Sequence, residues 1–183
     1  MALIRYTIWV LCALLFIGCD ELPDPEEPEI TSDIPEDRLG FYVIEGISDE
    51  LMFKRLPVDS IRFFGERFID YNEILNYDTL YFTFEIAESA IDRVATINNK
   101  YGKWCLPFAV VCEGEIVFGA YLYHPLSSCF PYWFYSTAIR QKKFTIYTPV
   151  WTDNPIKVDP RKDPRMIRVL MEDGKIKDRN TMD

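Results

Sequence analysis

The only histidine of this chain, His124, stands three to five residues before Ser127, Ser128 and Cys129. A histidine beside a hydroxyl or thiol can act as the base that turns it into a nucleophile. The same residues also describe an ordinary loop whose histidine makes local hydrogen bonds. No oxyanion-hole motif or orienting acid stands near them, so the loop reading is preferred and no catalytic residue is assigned. The run Phe130-Pro131-Tyr132-Trp133-Phe134-Tyr135 follows. Rings in a loop can stack on sugars or anchor a protein partner. On a strand, alternate rings would be core, and at least half of these are expected there. Tyr132, Trp133 and His124 are the candidate ligand-binding residues, with Tyr132 the ring most expected to be exposed. Asp153, Asp159 and Asp163 form a third candidate, because spaced carboxylates can bind calcium. They do not match an EF-hand loop, and loop solubility explains them better. There is no phosphate-binding glycine loop and no HExxH, so neither a metal nor another cofactor is expected.

Cysteine number limits the chemistry further. Of the five cysteines, Cys12 and Cys19 lie near the start, leaving Cys105, Cys112 and Cys129. Three cysteines permit at most one internal bridge, and with one histidine they lack structural zinc spacing. Cys105 and Cys112 read as the two ends of one strand, about 23 Å apart, which is too far to bond. A hairpin after Cys105 would return its second strand, ending near Tyr123, to the same end. The loop carrying Cys129 starts there, so Cys105–Cys129 is the expected disulfide.

The elements that must position these residues are visible in part. Leu106–Cys112 and Ile116–Tyr123 are apolar runs joined by Glu113-Gly114-Glu115, a hairpin signal. Phe108, Val110 and Cys112 share one face, Ala109 and Val111 the other. Both faces are apolar, so these strands should be central and covered. Leu39–Ile44 begins the apolar density, and Leu51–Leu56 reads as a short strand ended by Pro57. Residues 58–78 are ambiguous, with a short helical turn possible over Ile69–Ile74. Thr79–Ile86 reads as a strand, and Ala87–Lys100 as a helix that buries Ile91, Val94, Ala95 and Asn98, with Gly102 as its stop. Trp133–Ile139 and Lys143–Val150 read as two more strands. Asp163-Pro164-Arg165 opens a second helix, with Asp as the cap and Pro in the first turn. Met166, Ile167, Leu170 and Met171 would be its apolar stripe and Gly174 its end. These readings give a single α+β domain over residues 39–174, with a mostly antiparallel sheet and two main helices on one face. Residues 175–183 are expected to be a polar, frayed tail.

The first 18 residues have a different character. Arg5 precedes an apolar run, Tyr6–Ile17, too short for a permanent transmembrane helix. A charged start, a short apolar core and small residues at its end describe a signal peptide. The end, Leu15-Phe16-Ile17-Gly18-Cys19, resembles the lipobox of bacterial lipoproteins, although Phe16 stands where that motif usually has Leu. The resemblance implies that Cys19 becomes the lipidated first residue, held in the membrane by two or three acyl chains. An uncleaved membrane helix is the alternative. Asp20–Asp37 then holds nine acidic residues, four prolines and no Lys or Arg. Such a segment cannot bury enough surface to fold, so residues 19–38 read as an extended tether. Acidic residues directly after the lipidated cysteine also resemble the surface-export signal of Bacteroidetes lipoproteins. That implies an outer-membrane location, facing either outward or into the periplasm.

Charge and size bound the partners. Residues 1–18 hold one basic residue and no acidic one, so their removal takes the formal charge from −9 to −10. That argues against nucleic acid, which requires clustered Lys and Arg. The expected partners are the membrane, through the N-terminal lipid, and a protein complex of the envelope.

One local resemblance bears on the fold. The order strand, helix, strand, hairpin, strand over 79–123, with Asn98-Asn99-Lys100-Tyr101-Gly102-Lys103 and then Pro107-Phe108-Ala109-Val110-Val111-Cys112-Glu113-Gly114-Glu115-Ile116-Val117, resembles the βαββ portion of the first periplasmic domain of the protein-export membrane protein SecD. It covers about a quarter of the chain and implies a ferredoxin-like core without a transport role. The whole chain resembles small Bacteroidetes lipoproteins that share such a domain, a likeness that brings no activity with it.

Overall fold

In the computed structural model the described residues are 31, 33–47, 56–124, 126–127, 133–137, 142–149, 156 and 158–177. They form an α+β domain with eight strands, two α-helices and three short 3-10 turns. The strands are β1 (Gly40–Glu45), β2 (Phe63–Ile69), β3 (Ile74–Asp78), β4 (Thr83–Ile86), β5 (Cys105–Cys112), β6 (Glu115–Tyr123), β7 (Tyr135–Thr137) and β8 (Lys143–Thr145). The helices are α1 (Glu88–Lys100) and α2 (Pro164–Glu172).

Instead of one sheet there are two: β2-β1-β5-β6-β7 and β3-β4-β8. Every pairing is antiparallel except β6 with β7. Tyr135 and Tyr147 exchange backbone hydrogen bonds of 3.1 and 2.7 Å, which stitches β7 to the chain just after β8. The strand–helix–strand–hairpin order is present from β4 to β6. However, β4 and β5 lie in different sheets, so the core departs from a ferredoxin-like arrangement. The tight turn at 79–82 keeps β4 antiparallel to β3, and α1 then carries the chain across to the larger sheet.

The sequence pattern explains the central hairpin. All eight residues of β5 are buried, and Leu106, Phe108, Val110 and Cys112 join one apolar cluster while Cys105, Ala109 and Val111 join another. That is the period-2 alternation of a strand covered on both faces. Glu113 (φ 50°) and Gly114 (φ 75°) make the connecting turn, the left-handed pair that hairpins favour.

The larger cluster fills the space between the two sheets and both helices. Phe41 and Phe108 on the five-stranded sheet meet Phe144 of β8 at 5.6 and 5.9 Å, and Phe84 of β4 lies 5.1 Å from Phe41. α1 contributes Ala90, Val94, Ile97 and Asn98; α2 contributes Met166, Val169 and Leu170. Both helices thus cover the same face of the large sheet. Their stripes are rotated from the expected ones: Ala95 and Met171 are exposed. Val169 takes the i+3 place after Met166 that a core-facing helix fills.

Asp163 caps α2 by accepting the Arg165 N–H at 2.9 Å. Each helix ends in a left-handed glycine, Gly102 (φ 61°) and Gly174 (φ 64°). In each, the next N–H bonds back five residues: Lys103 to Asn98 at 3.0 Å and Lys175 to Leu170 at 2.7 Å.

The smaller cluster lies on the other face, where Leu56 and Ile61 cover Tyr121 and Ala109. Here Gly119 is required by contact. A Cβ at this position would stand 2.6 Å from Leu56 Cδ2.

The packed unit reaches past Leu39 and Gly174. Thr31 and Phe64 exchange backbone bonds of 2.9 and 2.7 Å, and Arg38 pairs with Glu172 and Asp173. At the other terminus, Tyr77 N–H donates to Lys175 and Lys177 N–H to Tyr77, so the start of the expected frayed tail is bound to β3. The expected 51–56 strand lies outside the described residues except for Leu56, as does residue 178 onward.

Candidate functional site

The hairpin of β5 and β6 brings its two open ends together as the register requires, with Cys105 opposite Tyr123. His124 N–H donates to the Trp104 carbonyl at 2.9 Å, and the two rings meet edge to face at 4.9 Å. The imidazole Nδ1 accepts the Leu126 N–H at 3.2 Å, and the His124 carbonyl accepts the Ser127 N–H at 2.8 Å. The Nδ1 lone pair is therefore engaged by the loop's own backbone, which puts the ring proton on Nε2 in the neutral form. The geometry is that of a half-buried loop histidine. Trp104 and Leu126 beside it are 58% and 77% exposed.

The aromatic run divides as alternation demands. Phe134 is fully buried, while Trp133 and Tyr135 are half-buried. The Trp133 indole N–H donates to the Gly119 carbonyl at 2.9 Å, and its ring meets Phe134 at 4.9 Å, so Trp133 is a packing residue here. Tyr135 stacks on Tyr147 at 5.2 Å, and Tyr147 is 43% exposed. Tyr147 extends the expected aromatic surface in a direction the linear run does not indicate. Tyr132, together with Phe130, Pro131 and Ser128, lies outside the described residues.

Two of the three aspartates have structural partners. Asp159 caps the 3-10 turn Pro160–Lys162 by accepting Arg161 N–H at 3.1 Å and holds the same residue's guanidinium at 2.9 and 2.6 Å. Arg161 is only 5% exposed, lies 3.6 Å over the Phe82 ring and donates to the Ile146 carbonyl at 2.8 Å. Burial alone would raise the Asp159 carboxyl, but the Arg161 bonds outweigh it and hold it below the usual range. Asp163 is held low chiefly by Arg165. Asp153 lies outside the described residues. Among the described residues no group of three or more His, Cys, Asp or Glu could hold a metal ion.

Cys105 and Cys112 are both buried at the two ends of β5. The proposed bridge partner Cys129, like the lipobox cysteine Cys19, lies outside the described residues. Cys112 donates to the Arg38 carbonyl at 3.2 Å, and its thiol is pushed up to about 11 by burial and by Glu113.

The structure also assembles a charged cleft that linear reading does not reveal. Arg67, Asp70, Asn72, Glu73 and Arg93 line a shallow depression of about 490 Å³. Asp70 and Glu73 form a reciprocal capping box for the turn Tyr71–Glu73: Asn72 N–H donates to Asp70 at 2.9 Å and Asp70 N–H to Glu73 at 3.0 Å. Arg67 pairs with Asp37 at 2.7 Å and Asp70 at 2.6 Å, and Arg93 pairs with Glu73. Burial would raise Glu73, but hydrogen bonds from Ser89, Arg93 and the Asp70 N–H hold it low. Both guanidinium groups already face carboxylates, so the cleft is a structural joint between β2, β3 and α1. The Asp-x-x-Glu spacing at 70–73 is a capping-box signal in the sequence, but nothing local points to Arg67 and Arg93.

No helix among the described residues is long and apolar enough to cross a membrane. No protein-family model matches this chain, and no curated protein or solved structure is significantly similar to it.

Proposed function

We propose that the chain is a lipid-anchored module of the bacterial cell envelope that works by binding a protein partner there. The observation that carries this reading is the order of segments in the sequence. A charged start, a short apolar run, Gly18-Cys19 and an acidic, proline-rich stretch precede one α+β domain. A lipid on Cys19 holds the domain at a surface, and the tether gives it reach within that surface.

Two measurements test the two halves. Cells producing the full chain are fed an alkyne-tagged fatty acid. The wild type should carry the label and the Cys19→Ala variant should lose it; an unlabelled wild type overturns the anchor. Crosslinking in those cells, followed by purification, should recover one defined envelope complex. Recovery of nothing above background overturns the accessory role.

A second reading, capture of a surface glycan, is favoured by the stacked Tyr135–Tyr147 pair with its exposed outer ring. Flat ring faces suit sugar stacking. A glycan array should then show a hit that Tyr147→Ala removes, and an array without hits sinks this reading.

A further inference from the structure

The two ends of the large sheet differ in chemistry. At the Gly114 end the surface is an ion-pair lattice: Arg165 and Arg168 hold Glu115 and Glu113 of the hairpin turn, and Arg38 holds Glu172 and Asp173. At the opposite end, among the described residues, three large apolar side chains face solvent. Phe63 begins β2, Trp104 precedes β5 and Leu126 follows β6; they are 46%, 58% and 77% exposed. Trp104 and Leu126 form one group with His124. Phe63 stands beside Glu45 of β1, the strand between β2 and β5.

The same end carries two basic side chains beside the exposed rings. Exposed Arg62 and half-buried Lys103 directly precede the two aromatic rings. Glu66 nearby is neutralised by Lys100, and Glu45 is half-buried. Unlike Phe68 and Phe144, which also follow a basic residue but are buried, Phe63 and Trp104 are exposed beside theirs. Aromatic rings flanked by Lys or Arg are the side chains that settle at a membrane–water boundary.

The chain between anchor and domain meets the fold at this end. Thr31 is bonded to Phe64, one residue from the exposed Phe63. From Cys19 to Thr31 are twelve residue steps, which span at most about 40 Å when fully extended. A strand as long as β5 measures about 26 Å. Twelve steps are therefore enough to let this end lie flat on the lipid, and they keep Thr31 within about 40 Å of the anchor.

We infer that the Phe63–Trp104–Leu126 end of the domain rests on the lipid surface that holds the Cys19 anchor, leaving the ion-pair end facing away from it. This rests on the lipid-anchor reading above. It adds an orientation, and it places any partner-binding surface on the sides and far end of the domain.

Depth-dependent quenching tests it. The full lipidated chain, purified from cells, is reconstituted into vesicles of phosphatidylethanolamine and phosphatidylglycerol whose acyl chains carry bromine, and the vesicles are floated on a gradient. Bromine quenches tryptophan only near the acyl region. The expected result is flotation together with a quenched component that the Trp104→Phe variant lacks. Flotation with identical quenching in wild type and variant overturns the orientation while the anchor stands. Such a result would mean that Trp104 faces water or a protein. Failure to float, with no fatty-acid label on Cys19, overturns both. Trp104 is exposed, so the variant keeps its core intact and the comparison reads membrane contact rather than folding.

Discussion

Asp159 offers a decisive choice between a metal ligand and a structural carboxylate. Replacing it with alanine removes a cap on the turn Pro160–Lys162 and both charge-assisted bonds to Arg161. The lost cap costs about 1 kcal/mol. The larger loss is on Arg161, which is 5% exposed and would keep the Ile146 carbonyl and the Phe82 ring but no counter-charge from Asp159. Removing one partner of a fully buried pair costs roughly 3–5 kcal/mol. The Asp159 side chain is 26% exposed, so water can partly replace it, and about 2 kcal/mol is the fitting share. The total is roughly 3 kcal/mol, or a Tm lower by about 10 °C in a domain of this size. Asp159→Asn keeps an acceptor for the Arg161 N–H and should lose about half as much. Urea unfolding of the purified chain, with calcium and with chelator, measures both effects. The structural account requires the ranking wild type, Asn, Ala, unchanged by calcium. A loss below about 0.5 kcal/mol for Asp159→Ala, the size of an ordinary surface change, would refute it. So would a calcium-dependent stabilisation that the variant abolishes.

Gly119→Ala should destabilise the domain by about 1–3 kcal/mol in the same urea assay, since the new methyl meets Leu56 in a packed interior; an unchanged midpoint would show that Leu56 moves aside freely. Acid should weaken the fold. Glu73, Asp159 and Asp163 are each held below their ordinary values, so each contributes stability above the unfolded carboxylate range, near pH 4, and loses it as pH falls through the lower folded value. Unfolding free energy measured from pH 7 to pH 2.5 should therefore decline below about pH 4, and less steeply in Asp163→Asn. The Cys112 thiol, pushed up to about 11 by burial first and Glu113 second, should resist iodoacetamide at pH 8 in the native protein and react fully in urea. Rapid native labelling mapped to that residue by mass spectrometry would contradict its placement.

Legibility in the sequence follows the regularity of each element. The β5–β6 hairpin was readable because each run is apolar on both faces and the turn carries Gly114. α2 was readable because Asp163-Pro164 marks its start and Gly174 its end. β2 was hidden in Phe63-Phe64-Gly65-Glu66-Arg67-Phe68-Ile69, whose inward and outward residues do not alternate. The register against β1 shifts twice along it, and each irregularity breaks the two-residue period on which the reading depends. β3 is interrupted in the same way between Ile74 and Asn76. The overlong strand from Thr79 had the right composition but met a turn. Asp78 accepts the Leu80 and Tyr81 N–H groups at 2.9 and 3.0 Å, and Phe82 sits at φ 52°. At the site, His124 and Trp133 were found by residue type. Trp104, which meets His124, and Tyr147, which stacks on Tyr135, come from distant parts of the chain, so strand pairing alone brings them in.

The way this fold finishes its sheets narrows how it can bind. An open strand edge invites a partner strand, which is a common mode of peptide capture. Here the outer edge of β2 is occupied along its length. Thr31 takes Phe64, the Tyr101 hydroxyl accepts the Glu66 N–H at 3.3 Å, and Arg93 donates to the Phe68 carbonyl at 3.4 Å. The outer edge of β3 carries Lys175 and Lys177, and β7 is closed by Tyr147. At these three edges a partner strand would have to displace one of these segments and pay for the bonds it breaks. Side chains on the faces and ends are the cheaper means of contact. That directs a search for partner surfaces to the Tyr135–Tyr147 stack and the ion-pair end, if Phe63, Trp104 and Leu126 rest on the membrane as inferred above. Substituting Tyr147 and Arg168 separately, and asking which one releases a crosslinked partner, would locate the contact. If neither does, the partner is held by a surface outside these two regions.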